Sequence, residues 1–273
     1  MKKHGVGTYI ILILWAIIQM FPIYWMFTFS LKDNAEIFGE NMLGLPKHWL
    51  WSNYADALKV GNIGRYFLNS VIVSGLTIVI TTLAALMATY ALTRLVWKGQ
   101  KTVNNLFMLG ITVPIHAAIL PVFLILRQLK WTNTYQALVF PYSAFAVSMA
   151  ILIASGFIVS IPREMEEAAC LDGCNVYQIF WKIILPMMKP CLSTMAIYIF
   201  LQAWNELMFA VIFISDPLYR TLPVGIQTLA GSYTTKWGPI GAALVMATFP
   251  TLILYCFLSG KIQESMAAGA VKG

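Results

Sequence analysis

Six long apolar runs dominate the chain, at approximately Tyr9–Leu31, Tyr66–Thr93, Val103–Leu126, Tyr135–Ile161, Ile183–Ile214 and Pro239–Gly260. Each is long enough to cross a hydrocarbon core of about 30 Å, which takes about 20 residues as a helix. In lipid every backbone N–H and C=O needs a partner within the protein, so runs of this length are helices. Charged residues make up only 11% of the chain, against about 25% in a typical soluble domain. The expectation is an all-α polytopic membrane protein with six transmembrane helices. Its 273 residues leave no room for a second, soluble domain.

The first run follows Lys2, Lys3 and His4. It is longer than the apolar part of a secretory signal, about 7–15 residues, and no small-residue cleavage site follows it. It reads as a retained helix. With the N-terminus inside, ten Lys and Arg fall on the inner side and eight on the outer. The Arg94–Lys101 loop is more densely basic than the outer Arg127–Lys130 loop, which favours that orientation and places both termini in the cytosol. The net charge of +7 is spread between apolar runs and forms no basic stripe, which argues against a nucleic-acid partner. Trp49, Trp51, Trp131 and Trp237 on one side, and Trp97 and Trp181 on the other, suit aromatic belts at the two interfaces. The first outer loop, Lys32–Arg65, is the longest connection and suits a short lid or docking surface. Cys170, Cys174, Cys191 and Cys256 show no paired CxxC spacing and read as reduced, unligated thiols.

No catalytic constellation is visible. There is no G-x-x-x-x-G-K-[ST] phosphate loop. His4, His48 and His116 are scattered, no His or Cys pair stands at metal spacing, and His116 beside Pro114 reads as a packing residue. Glu206 is the only carboxylate inside an apolar run. Such groups face a bundle interior or a watery cavity. At helical spacing Tyr198, Gln202, Asn205, Glu206 and Phe209 share one face with rings, amides and a carboxylate, a surface suited to sugars. Two readings stand: the face lines a translocation pathway, or its polar groups fix helix packing through interhelical hydrogen bonds. Pro114, Pro121, Pro141 and Pro250 are expected to interrupt their runs and so to line a cavity or supply bends.

Between the fourth and fifth runs lies an acidic segment with Glu164, Glu166, Glu167 and Asp172. The charge suits a helix start, but a small pair, Ala168–Ala169, followed by Gly173 also lets another surface approach closely. Glu167, Ala168, Ala169, Gly173, Ile183, Leu185 and Pro186 fill every fixed position of E-A-A-x-x-x-G-x(9)-I-x-L-P. This resembles the signature of binding-protein-dependent ABC importer permeases. W-N-E (Trp204–Glu206), R-T-L-P-V-G (Arg220–Gly225) and A-G-A-V-K-G (Ala268–Gly273) resemble the carbohydrate branch, in particular the second permease of maltose-type and multiple-sugar importers.

The resemblance implies a type I ABC importer transmembrane fold in a bacterial or archaeal cytoplasmic membrane. It implies a first helix and outer loop at 1–65, a core at 66–261 with a coupling loop at 162–182, and a cytosolic tail at 262–273. The implied partners are a homologous permease, two ATPase subunits and an extracytoplasmic sugar-binding protein. ATP and Mg would sit on the ATPases, with no cofactor and no metal on this chain. Glu166, Glu167, Ala168, Ala169, Asp172, Gly173, Leu185 and Pro186 would couple to the ATPase. Gly231, Ser232, Tyr233 and Thr234 would contact the binding protein, and 263–273 would enter the ATPase interface. The other transport class, an ATP-independent secondary transporter or channel, needs coupling carboxylates in the membrane, for which Glu206 alone qualifies, and repeats between its halves, of which none is convincing. With no phosphate loop, the isolated chain is expected to show no saturable ATP binding on nucleotide titration; a stoichiometric site would reassign the roles.

Overall fold

The computed structural model describes residues 6–39, 41–230 and 235–270, with side chains described to 257. Every regular element among them is helical. In chain order these are α1 (Val6–Phe29), α2 (Asn34–Phe38), α3 (Ser52–Lys59), α4 (Ile63–Thr93) and α5 (Gln100–Thr112). A 3₁₀ turn (Ile115–Ala118), α6 (Ile119–Gln128), α7 (Gln136–Ile158), α8 (Glu164–Leu171) and α9 (Val176–Ile179) follow. A π-helical turn (Phe180–Ile184) leads into α10 (Leu185–Met187), α11 (Lys189–Trp204), α12 (Met208–Phe213), α13 (Leu222–Thr228) and α14 (Trp237–Ala270).

Among the described residues four helices are long and apolar enough to cross a membrane, and six spans result if each of two bent pairs counts as one. The bent pairs correct the sequence reading. The third run is no single helix, because α5 and the segment ending at Gln128 meet at 98°. The fifth run is bent by 76° at Met188 and stops at Trp204 before restarting as α12. Of the four prolines expected to interrupt, only Pro114 stands at a break, in extended conformation ahead of the 3₁₀ turn. Pro141 and Pro250 lie inside continuous helices, where a single lost i→i−4 bond is tolerated in membrane spans. Pro121 falls in the first turn of α6, where its missing N–H has no helical partner in any case.

The chain forms two compact units: 1–67 with 222–250, and 68–221 with 251–273. In the first, residues 7–20 of α1 are exposed on every side, so this helix is stabilised by its own backbone bonds and by its surroundings rather than by this chain's core. The loop after it is built around Lys32, which is fully buried. Its ammonium donates to the carbonyls of Asn41 (2.7 Å), Met42 (3.3 Å) and Gly44 (2.8 Å). Burial draws the Lys32 pKa below its usual 10.5, and the nearby Glu36 carboxylate works the other way. Asn53 donates to the carbonyls of Ser30 and Lys32 at 2.9 and 3.0 Å. Asn34 holds the start of α14, donating to the Thr235 carbonyl at 2.6 Å and accepting from the Trp237 N–H at 2.9 Å.

In the second unit α7 is the central helix. Ala146, Ala150 and Ala154 are buried at i, i+4, i+8, a stripe that lets neighbouring backbones approach closely. α5 and α11 both pack on it. Gly110 of α5 lies so close to Ser148 of α7 that any Cβ there would collide with its hydroxyl. The apolar core continues from Leu86 and Tyr90 of α4 through Ile151 and Ile158 of α7 to Met188, Met195 and Ile199. At one edge of this unit, Asn69 donates to the carbonyls of Leu218 (2.9 Å) and Arg220 (2.8 Å), and Asn133 accepts from the backbone of Ser215 and Asp216 at 2.7 and 2.9 Å.

Replacing Lys32 by Met removes the donor for three carbonyls. Hydrogen bonds to charged groups contribute about 1.5–3 kcal/mol. Lys32→Met is therefore expected to lower the melting temperature of the purified protein and to make the loop between α2 and α3 markedly more protease-sensitive. An unchanged digestion pattern would show that the ammonium does not hold the loop.

Candidate functional site

The acidic segment folds as a helix, a tight turn and a second helix. Glu164, Glu166 and Glu167 fill the first turn of α8, where carboxylates meet the positive end of the helix dipole. The helix is ended by a Schellman turn: the Cys174 N–H donates to the Ala169 carbonyl at 2.9 Å and the Gly173 N–H to the Cys170 carbonyl at 3.0 Å. Gly173 has φ +82° with open space around it, so glycine is needed there for its backbone and not for room. Asn175 then starts α9 through a reciprocal capping box with Gln178. Helix thus resumes at Val176, earlier than the sequence reading of a loop running to 182.

Arg94 fixes this knuckle to the rest of its unit. Its Nε lies 3.2 Å from Glu166, with both side chains largely buried. Its Nη2 donates to the carbonyls of Ile158 (2.7 Å) and Ile161 (2.5 Å), a cation at the C-terminus of α7 where the dipole favours it. One guanidinium therefore joins the ends of α4 and α7 to α8. A groove of about 530 Å³ beside it is lined by Arg94, Arg163, Glu166, Glu167, Cys170 and Leu171.

The residues expected to couple divide by burial. Glu166 is committed to Arg94, and Ala169 is buried in the core. Glu167, Ala168, Asp172 and Gly173 are exposed. So are two apolar side chains outside the expected set, Leu171 at 90% and Tyr177 at 77%. Leu185 and Pro186 lie farther along, just after the π turn. A proline ring clashes with the carbonyl four residues earlier in a regular helix. The wider turn, closed by the Leu185 N–H on the Phe180 carbonyl, accommodates Pro186. The I-x-L-P half of the motif therefore specifies an irregular helix.

The intramembrane set is rearranged. Tyr198 and Gln202 are half-buried on α11, Asn205 is its exposed C-cap, Glu206 stands in the break, and Phe209 is fully buried on α12. The five do not share one continuous face, because the helix ends at Trp204. The Glu206 carboxylate accepts from the Phe209 N–H at 3.0 Å and the Ala210 N–H at 3.3 Å, capping α12 in the manner of an N-cap. It also accepts from the Tyr142 hydroxyl of α7 at 2.7 Å. W-N-E is thus a stop and restart signal for helix. Gly231, Ser232, Tyr233 and Thr234 lie outside the described residues. Arg94 and Tyr142 went unsingled in the sequence; the one signal each offered was a donor beside or within an apolar run.

Residues 80–264 match the family profile described as binding-protein-dependent transport system inner membrane component. The chain belongs to this family. It is 36% identical to the probable ABC transporter permease protein YurM of Bacillus subtilis, over all of this chain and 91% of that protein. It is 33% identical to the diacetylchitobiose uptake system permease protein NgcG of Streptomyces coelicolor, over 99% of this chain and 90% of that protein. It is also 33% identical to the trehalose/maltose transport system permease protein MalG of Thermococcus litoralis, over 96% and 94%. Among solved structures it resembles a chain of a bacterial ABC transporter that imports the acidic polysaccharide alginate, with a TM-score of 0.80 at 20% identity over 94% of this chain and 95% of that one.

As an ABC importer permease the chain is a multi-pass protein of the cytoplasmic membrane. It is not itself catalytic, and ATP hydrolysis belongs to a partner ATPase. The E-A-A residues of this permease build the α8 knuckle, whose turn depends on Gly173. A residue with Cβ at left-handed φ costs about 1–2 kcal/mol. Gly173→Ala should therefore lower hydrogen-exchange protection of the last α8 amides by about 5- to 30-fold, and Gly173→Asn by less. Equal protection in all three proteins would show that the turn does not govern α8.

Proposed function

We propose that this permease is the second of two transmembrane subunits in an ATP-driven importer that moves a sugar or oligosaccharide by alternating access. Its relatives' names support the substrate class: diacetylchitobiose, trehalose/maltose and starch degradation products are the cargoes named for three that are 30–33% identical over nearly their whole lengths. The observation that carries the mechanism is the α8 knuckle, a short helix and turn that expose Leu171 of α8 and Tyr177 of α9 beside acidic groups, yet anchored behind by Arg94 and Glu166.

On this reading the knuckle faces the cytosol and docks on an ATPase. Glu167, Ala168, Asp172 and Gly173, joined by Leu171 and Tyr177, form the docking face, while Glu166 and Ala169 hold it to the permease. When two ATPases close around ATP, a displacement of α8 passes through Arg94 to α4 and α7, and through α9 and the π turn at Pro186 to α11. Leu185 and Pro186 thus act in transmission. A homologous permease completes the pathway, and an extracytoplasmic sugar-binding protein delivers cargo at 231–234, whose following residues Asn34 holds. The tail at 263–273 reaches toward the ATPases. Tyr198, Gln202 and Asn205 lie on the pathway side of α11, and Glu206 and Phe209 support them.

Glu167→Lys and Leu171→Asp should each reduce sugar uptake at least tenfold and weaken co-purification of the ATPase, with membrane insertion unchanged. Both changes are at exposed positions, so the fold is expected to survive. Full uptake in both variants would reject the docking assignment.

A further inference from the structure

The fold brings together the break in its first bent span and the gap that separates α11 from α12. α5 ends at Thr112, and the chain runs extended through Val113 and Pro114 into the 3₁₀ turn that holds His116. α11 ends at Trp204, and α12 begins at Met208. Across this junction the His116 ring meets the Phe209 ring edge-on, with centroids 6.5 Å apart. Phe209 is fully buried and also packs against Phe145 (5.8 Å) and Phe213 (5.0 Å). Glu206 fastens the same point to α7 through Tyr142 while capping α12. A buried aromatic hub and one carboxylate thus hold α7, α12 and the 3₁₀ turn in register.

The surface beside this hub is polar and open. His116 and Asn205 are exposed, as are Thr112–Pro114. The His116 side chain has no hydrogen-bond partner among the described residues, whereas the Asn205 amide donates only back to the Leu201 carbonyl at 2.8 Å. An ionisable ring within a membrane span faces a bundle interior or a water-filled cavity. Non-helical backbone at that depth is tolerated only where protein buries it or water lines it, and here the chain's own side chains do not bury it. Paired helix interruptions are where transporters of other folds place their cargo. The buried centre of a subunit interface is by contrast depleted of charged groups.

We infer that His116 and Asn205 face the translocated sugar where the two broken spans meet, and that the Tyr142–Glu206 clasp is the positioning element that keeps this surface in register. The inference rests on the sugar-import reading above. An imidazole and a primary amide both donate and accept hydrogen bonds, so the pair suits the hydroxyls of a neutral carbohydrate better than a carboxylated one. The clasp touches no cargo, and its part is to fix where α12, and with it Phe209 and His116, stand relative to α7.

The test uses the assembled importer in proteoliposomes, with the four native cysteines replaced and single cysteines introduced by His116→Cys, Asn205→Cys and Leu120→Cys. Leu120 is an exposed apolar residue of α6, one turn beyond His116, and serves as the control for exposure alone. A charged, membrane-impermeant thiosulfonate should modify the first two but not the third. Its rate should change at least fivefold between the nucleotide-free and vanadate-trapped states. Whichever of maltose, maltotriose or diacetylchitobiose the parent importer carries should slow modification. Reactivity of His116→Cys no greater than that of Leu120→Cys would overturn the inference, and so would normal reactivity with no protection by a sugar that is imported. A parent importer that carries none of the three would instead count against the sugar reading itself, and is seen without any introduced cysteine. For the clasp, Tyr142→Phe should raise the KM for sugar at least fivefold with complex yield and basal ATPase unchanged, and Glu206→Gln, which keeps an acceptor, should be milder than Glu206→Ala. An unaltered KM, or a loss of assembly alone, would remove its positioning role.

Discussion

Backbone hydrogen bonding in a solvent that offers none is the constraint from which the rest of this structure follows. Lipid leaves a freed N–H or C=O without a partner, so wherever a span stops, a side chain must take over. Glu206 supplies acceptors for N–H groups in the first turn of α12, and at the exposed knuckle Asn175 caps α9 in the same way. Arg94 supplies donors for the last carbonyls around the end of α7, and Lys32 gathers three carbonyls of the loop after α1. These four polar side chains stand where helices end or where the chain leaves them.

That economy links structure to transport. A permease that only had to span the membrane could use six straight helices. This one bends two of its spans, by 98° and 76°. At the α8 knuckle one guanidinium joins α8 to the ends of α4 and α7. The knuckle's inner side sets Glu166 against Arg94 and buries Ala169, while Glu167, Ala168, Asp172 and Gly173 stand exposed. The residues expected to couple therefore divide into an exposed set and a buried one.

The same distinction applies within the membrane. Glu206 stood out as the single carboxylate in an apolar run, and the choice between packing and pathway was open. The structure gives its oxygens to Tyr142, Phe209 and Ala210, a supporting arrangement, while Asn205 beside it remains exposed. Adjacent residues in W-N-E thus face different environments, because the helix ends between Trp204 and Glu206 and the periodicity that grouped them no longer applies.

The sequence by itself determined the class. Apolar runs of membrane length and sparse charge admit helices and little else, and the spacing from Glu167 to Pro186 marked the permease family. It also held the turn at Gly173, since a glycine after a short acidic helix is a local stop signal. The tertiary structure decided where the spans break, because proline alone does not settle that. Pro141 and Pro250 are absorbed within helices while Pro114 is not. It likewise decided which member of each motif faces inward. Arg94 reaches Glu166 across 72 positions of sequence, and Tyr142 reaches Glu206 across 64. Such pairings carry no local signature, since they are set by how the helices pack.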